Sequence, residues 1–184
     1  MSAGNIVHTK GHHTCKAGHR AYIQSKAPFK SVYSKAEGRM PYLGDGYYLW
    51  DDNIDTAKWW GQVHYRGDYS IVELDLKLHG EHFLDLVGSR EDIRNFSELI
   101  NSVAAKIGRN SVSECVYFLR QLERECKGAF PYRVIRALDS SAIKQNQCLP
   151  FKPYDRHYLN LNPRYIICFY RREDLPLHTL RIIR

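Results

Sequence analysis

The stretch Leu43-Gly44-Asp45-Gly46-Tyr47-Tyr48-Leu49-Trp50 sets two glycines one residue apart and two tyrosines directly after them. Glycine reaches φ > 0 and lets another molecule approach the main chain. A rigid aromatic ring beside such a turn offers a flat face to a planar ligand. Two readings are open: a site for a flat ring, or a Gly-rich turn leading into a strand of ordinary core tyrosines. A second group of chemistry-bearing residues lies upstream, where His8, His12, His13, Cys15 and His19 fall close together. The last four are zinc-type ligands. No second cluster pairs with them, and His13 with Cys15 would need an unusual local geometry, so no metal is expected.

These residues need elements to hold them. Ile6 to Cys15 reads as a first strand and Lys16 to Ser25 as a short helix stopped before Pro28. Phe29 to Pro41 reads as a loop long enough to cover a pocket, and Tyr47 to Trp50 as a short strand. Asp52 with Asp55 makes a capping-box-like helix start. Val72, Leu74, Leu76 and Leu78 alternate with Glu73, Asp75 and Lys77, which predicts a half-buried strand over Ser70 to Leu78. Ser89 opens a helix with Ile93, Phe96, Ile100, Val103 and Ile107 at helical spacing and Gly108 closing it. Ser111, with Glu114 three residues on, opens another, with Phe118, Leu119, Leu122 and Cys126 on one face and Gly128 as its stop. Strands follow at Tyr132 to Leu138, Tyr165 to Tyr170 and Leu175 to Ile183. Strands first, helices in the middle and strands last describe one α+β domain, with residues 89–128 as a helical insert serving as scaffold or partner interface. No Gly-x-Gly-x-x-Gly follows a strand, so a dinucleotide would not be held by a Rossmann unit.

The 184 residues suit a single domain over 1–184 with a real core. No apolar run reaches the length of a membrane span and the polar N-terminus lacks a signal-peptide core, so cytoplasmic residence and no membrane partner are expected. Five scattered cysteines (Cys15, Cys115, Cys126, Cys148 and Cys168) do not form a disulfide framework. A formal charge of +7 attracts polyanions. It suits nucleic acid as substrate or partner, or the docking of an acidic inhibitor.

The glycine-tyrosine stretch resembles the second motif of the ADP-ribosyltransferase superfamily, where a strand of the type Gly-x-Gly-Phe-Tyr-Leu-Thr precedes a helix with Ala and Trp. Gly44, Gly46, Tyr47, Tyr48 and Leu49 match in place; Ala57 and Trp60 match after a one-residue insertion. His12-His13-Thr14-Cys15-Lys16-Ala17-Gly18 resembles the family's opening His-Gly-Thr. Tyr69 to Leu76 resembles the strand after the motif-two helix, and Asn162 to Tyr170 the strand bearing the third motif. The four anchors follow the family's order and span most of the chain.

The resemblance implies a split β-sheet core and NAD as substrate, cleaved at its nicotinamide–ribose bond with transfer of ADP-ribose. It implies that His13 hydrogen-bonds the adenosine-side ribose, with His12 and His8 as alternatives, and that Thr14 supports the strand edge. Tyr48 with Tyr47 would sandwich the nicotinamide, and N–H groups of Gly44 or Gly46 would bind its carboxamide. The chain departs from the family at the third motif, where Arg164 stands in the place of a glutamate. A guanidinium cannot accept a hydrogen bond, although its bidentate geometry suits a pyrophosphate. Three explanations are open: a different register, a carboxylate reaching in from Glu73, Glu173 or Asp139, or a catalytically altered relative. Polymer extension depends on that glutamate, so single-unit transfer is expected.

Arg136 resembles an arginine in a Val-Arg-Gly-like strand of some relatives, or is a solvated edge-strand arginine. Gln145, Asn146 and Gln147 lie where the family reads its acceptor. Taken together, His13, Tyr48 and Arg164 are the expected catalytic residues, and Thr14, Gly44, Gly46, Tyr47 and Arg136 help bind NAD. The acceptor is nucleic acid, RNA in particular, or protein. Free-standing bacterial relatives of this size are often toxins, held by an antitoxin protein or turned against phage. Two other classes stay in play: a basic RNA-binding or RNA-cleaving module without NAD chemistry, and a non-catalytic interaction domain.

Overall fold

The structure, a computed structural model, describes residues 6–108, 111–139, 148–150 and 158–184. Its centre is an eight-stranded, mostly antiparallel sheet, mixed with four helices. The elements are β1 (Val7–Lys16), α1 (Arg20–Lys26), β2 (Lys30–Ser31), β3 (Gly46–Asp51), α2 (Ile54–Tyr65), β4 (Tyr69–Leu78) and β5 (Phe83–Asp85). They continue with α3 (Arg90–Ile107), α4 (Val112–Glu125), β6 (Val134–Leu138), β7 (Cys148–Pro150), β8 (Tyr158–Asn160), β9 (Tyr165–Phe169) and β10 (Arg181–Ile182). The sheet runs β10-β4-β1-β3-β9-β6-β5, with β2 added to β3; β7 and β8 form a separate hairpin.

Alternation builds two layers on this sheet. Val72, Leu74, Leu76 and Leu78 of β4 pack with Leu49, Ile167 and Phe169, and with Ile23 of α1. Tyr69 and Ile71 face the other way, joining Trp50, Ile135 and Cys168 against Ala57 of α2, Val103 of α3 and Leu119 of α4. β9 is central and buried on both faces, hence its unbroken run Ile166-Ile167-Cys168-Phe169. The pairing is uneven. β1 pairs with β4 from Val7↔Leu78 through Lys16↔Tyr69, yet with β3 only at Gly11↔Asp51 and His12↔Trp50. The sheet is two halves joined at a narrow seam.

Several elements follow the sequence reading. β4 alternates as expected. α3 has Ser89 as N-cap, its side chain accepting from Asp92 N, and Gly108 in the left-handed conformation at its end. Others differ. The cap of α2 is Asn53, whose side chain accepts from Thr56 N at 2.8 Å; Asp52 instead takes a left-handed φ of 43°. It turns the chain so that its N–H reaches Lys10 O at 2.7 Å. Lys16 stays in β1, and the short helix starts only at Arg20. α4 buries Cys115, Val116 and Leu119, while Phe118 and Cys126 are exposed. It ends at an extended Cys126 rather than at Gly128, because the Glu123 carboxylate accepts the N–H groups of Gly128 and Phe130 and draws the chain away. The expected last strand, Leu175 to Ile183, holds a 3₁₀ turn at Leu177–Thr179 and only then the two-residue β10; a further 3₁₀ turn, Arg172–Asp174, precedes it. β5 was not anticipated; it is short and pairs parallel to β6.

Gly46 has a packing reason of its own. A Cβ built there would lie 2.4 Å from Cys168 Sγ and 2.9 Å from Phe169 O. β3 can lie against β9 at that point only without a side chain. Gly46→Ala is therefore expected to lower the urea-unfolding stability by about 1–3 kcal/mol, as overpacking does. An unchanged midpoint would show that the strands part readily and that the glycine is kept for another reason.

Candidate functional site

The segments that resemble the family's first, second and third motifs lie on β1, β3 and β9, consecutive neighbours in the sheet, with the seam between the first two. Past the His12↔Trp50 pair the ladder between β1 and β3 stops, and the His13 ring takes its place. His13 Nδ1 lies 2.9 Å from Tyr48 O, and Phe29 N–H donates to His13 Nε2 at 3.1 Å. That pair of bonds requires the neutral ring with its proton on Nδ1. Desolvation pushes the imidazole pKa down to about 4, against the opposite pull of the Tyr48 carbonyl. The ring also leans on Phe29, with centroids 6.2 Å apart. His13 latches three segments together, and both of its nitrogens are engaged in doing so.

Tyr48 lies on the other layer. Its ring packs with the core shared by α2, α3 and α4, whereas Phe29 beside His13 packs with the second layer. The Tyr48 hydroxyl donates to Gly44 O at 2.6 Å and accepts the Leu43 N–H at 2.8 Å. Desolvation raises its pKa well above the ordinary phenol value. Tyr170 OH donates to Leu43 O at 2.9 Å, so two tyrosines brace one turn. Gly44, with φ +82°, sends its N–H to Pro41 O at 3.0 Å inside that turn. Tyr47 packs into the second layer. The structure thus does not gather His13, Tyr48 and Arg164 into one side-chain cluster.

It gathers a neighbouring set. His12 is 3% exposed, and its Nε2 lies 3.1 Å from Glu73 Oε2, while Nδ1 is buried with no hydrogen-bond partner among the described residues. An Nε2–H facing a carboxylate leaves Nδ1 of a neutral ring as an acceptor. Lys10 Nζ, 2.8 Å from Glu73, holds that carboxyl below the usual range, and the His12 bond adds to this. Thr14 Oγ1 donates to Ala57 O at 2.8 Å and ties β1 to α2. Trp50, opposite His12, lies 5.8 Å from Trp60, which stacks on His64 at 3.6 Å. Trp59 is half-buried, and the guanidinium of Arg164 lies 4.1 Å over its ring. Asn53 Nδ2 donates to Asn162 Oδ1 at 2.6 Å, fastening the start of α2 to the approach of β9. Trp50, Trp60, Trp59 and Arg164 therefore form a run of ring contacts towards β9, with His12 standing opposite Trp50 in the β1 register.

Of the carboxylates considered for the missing glutamate, Glu73 touches His12, Asp139 donates its N–H to Arg164 O at 2.8 Å, and Glu173 lies in the 3₁₀ turn beyond the far end of β9. His8 stands opposite Lys77 near the start of β1. Gln145, Asn146 and Gln147 lie outside the described residues.

Arg136 is bound by acids. Its Nε donates to Asp51 Oδ2 at 2.6 Å, and its Nη1 lies 3.5 Å from Asp85 Oδ1. Asp51 also accepts from Thr9 Oγ1, and Asp85 Oδ1 accepts the N–H groups of Val87 and Gly88, both at 3.0 Å. Both acids are buried, and together they outweigh the arginine by one negative charge. A phosphate would have to displace them. Among the described residues no group of three or more His, Cys, Asp or Glu side chains is placed to hold a metal ion, and no helix is long and apolar enough to cross a membrane. Comparisons with family models, with curated proteins and with solved structures found no match.

The latch carries a sign. A histidine whose folded pKa is lowered stabilises the fold above its unfolded pKa, near 6.5, and loses that contribution as pH falls towards 4. Urea stability should fall between pH 6.5 and pH 4, and His13→Gln should remove a component on the order of 3 kcal/mol from that fall. A pH dependence identical in wild type and variant would mean that the ring is not the latch.

Proposed function

We propose that the chain is an NAD-dependent mono-ADP-ribosyltransferase acting on a macromolecular acceptor. The observation that carries this reading is the seam. Three segments that resemble the superfamily's motifs, far apart in sequence, lie on adjacent strands there. Beside it stands a histidine with a buried nitrogen that has no partner among the described residues. The atypical third motif fits transfer of a single unit.

In this reading His12, one of the alternatives the motif leaves open, is the ribose-binding histidine, its Nδ1 accepting a hydroxyl. The half-buried face of Trp59 belongs with the planar rings of the substrate, and Arg164, fixed on that ring, suits its pyrophosphate. The carbon–nitrogen bond to nicotinamide breaks with its electron pair leaving on the ring nitrogen. The nicotinamide-side ribose then carries oxocarbenium character, and for the ionised Glu73 to balance it that ribose, rather than the adenosine-side one, lies against His12 in this reading. An acceptor nucleophile bonds to C1′ of that ribose and its proton passes to solvent. His13 and Tyr48 are positioning residues here: one latches the seam, the other braces the turn. The basic surface favours nucleic acid, RNA especially, over protein as acceptor. A role as a toxin restrained by an antitoxin, or directed against phage, is the context that the resemblance suggests.

The test is transfer of label from adenylate-labelled NAD to the RNA, DNA and protein of a bacterial lysate. Wild type should label one fraction. His12→Ala and Glu73→Gln should each lower the rate by about 10²–10³, the scale for removing a group that stabilises a reacting centre, in protein whose circular dichroism is unchanged. Equal labelling by the variants would remove these residues from the site. RNA cut in the absence of NAD, with no label anywhere, would move the chain to the nuclease class.

A further inference from the structure

The Gly44–Gly46 turn, β2 and α4 enclose a pocket of about 50 Å³ lined by Lys30, Asp45, Tyr117, Arg120, Arg124 and Tyr170 among others. Three of these side chains are cationic and one is acidic. Asp45 is already engaged, its Oδ1 accepting the Tyr33 N–H at 2.7 Å. Glu123, beside Arg124 in sequence, is turned to the N–H groups of Gly128 and Phe130. Arg120 is held in place: its guanidinium lies 3.9 Å over the Tyr170 ring, and its Nη1 donates to Tyr132 O at 3.2 Å. Arg124 Nη1 donates to the Gln121 side chain at 3.1 Å, and among the described residues no carboxylate pairs with its fork. Next to these cations the rings of Tyr33 and Tyr117 meet at 5.4 Å, and Tyr33 is 37% exposed.

We propose that this pocket seats a backbone phosphate of single-stranded nucleic acid, with an adjoining base against the Tyr33–Tyr117 pair, and so docks the acceptor beside the seam. The docking role rests on the transferase reading; the binding does not. On this measure one water needs about 10–15 Å³, so the volume admits a few water-sized groups, the scale of a phosphate rather than of a nucleoside, and the base lies outside, where the tyrosines are. A fixed arginine with a lysine and a second arginine is the donor set that phosphate oxygens call for. A base can reach an aromatic face only when it is unstacked, which selects a single strand over a duplex. The net charge of +7 brings the strand to the surface.

The experiment is fluorescence anisotropy with a short fluorescein-labelled oligouridylate, in the absence of NAD. Lys30→Glu with Arg124→Glu, both at exposed positions, should weaken binding at least about tenfold. The pair should also flatten the dependence of log K on log salt by about 0.7, the slope for one lost phosphate contact on a single strand. Tyr33→Ala should weaken binding while leaving that slope in place. Lys16→Glu with Lys77→Glu, both exposed and outside the pocket lining, is the control of equal charge change and should bind as wild type; Arg124→Ala serves if the double variant fails to fold. Unchanged affinity in the pocket variants would overturn the proposal. So would a duplex of the same length binding as tightly, or inorganic phosphate displacing the strand at equal concentration, which would mark a free-anion site. With NAD absent, a failure here leaves the transferase reading standing, and a failure of label transfer leaves this binding standing.

Discussion

A neutral histidine wedged between two diverging strands holds the two halves of this sheet in register. β1 leaves β3 after two residue pairs, and at that point the main chain of Tyr48 and that of Phe29 need partners that no strand supplies. His13 serves both, as donor at one nitrogen and acceptor at the other. Each bond adds only about 1 kcal/mol net, but leaving either backbone group buried and unmade costs more. A protonated ring could not accept from Phe29, so the arrangement requires the depressed pKa that burial provides. Because neighbours in a strand point to opposite faces, fixing His13 in the seam sends His12 to the other layer, against Glu73 and opposite Trp50.

The conspicuous residues of the glycine-tyrosine stretch carry structural duties that do not compete with the proposed chemistry. Gly46 lets β3 approach β9, Gly44 takes a left-handed turn, and Tyr48 with Tyr170 braces the same loop. These duties shape a firm wall beside the seam, while the reactive set that we propose is His12, Glu73, Trp59 and Arg164. Arg136 has a similar character. It neutralises much of the charge of Asp51 and Asp85, two buried acids that link β3 to β5, and removing it would strand both carboxylates in the interior.

What could be read from the sequence was what local periodicity and capping decide. β4 and α3 are legible because alternation in one and a 3.6-residue rhythm with Ser89 and Gly108 in the other are properties of the segment itself. β5 is three residues long and exists only because β6 lies beside it. The C-terminal run Leu175 to Ile183 has strand-like composition, but Pro176 and the hydrogen bonds of Thr179 fold it into turns. Asn53 takes the cap because Asp52 is needed for a left-handed bend towards Lys10. The choice between His12 and His13 was illegible for a physical reason. A one-residue shift in a strand exchanges faces, and only the register with β4 and β3 says which ring meets Glu73 and which meets the Tyr48 carbonyl. The acids bound to Arg136 are remote in sequence, so no local signal marks them.

The account stands on the claim that the run of side chains from Trp50 through Trp59 to Arg164, with His12 opposite Trp50, receives NAD. The direct measurement is a nuclear magnetic resonance titration of nitrogen-labelled protein with an NAD analogue whose glycosidic bond cannot break. It follows the imidazole resonances of His12 and the indole N–H resonances of the three tryptophans, all of which lie in this cluster. The account predicts saturable shifts at His12 and Trp59, with the His13 resonances in their neutral-ring positions throughout. Spectra that stay unchanged at saturating analogue, or shifts confined to residues away from the seam, would contradict it.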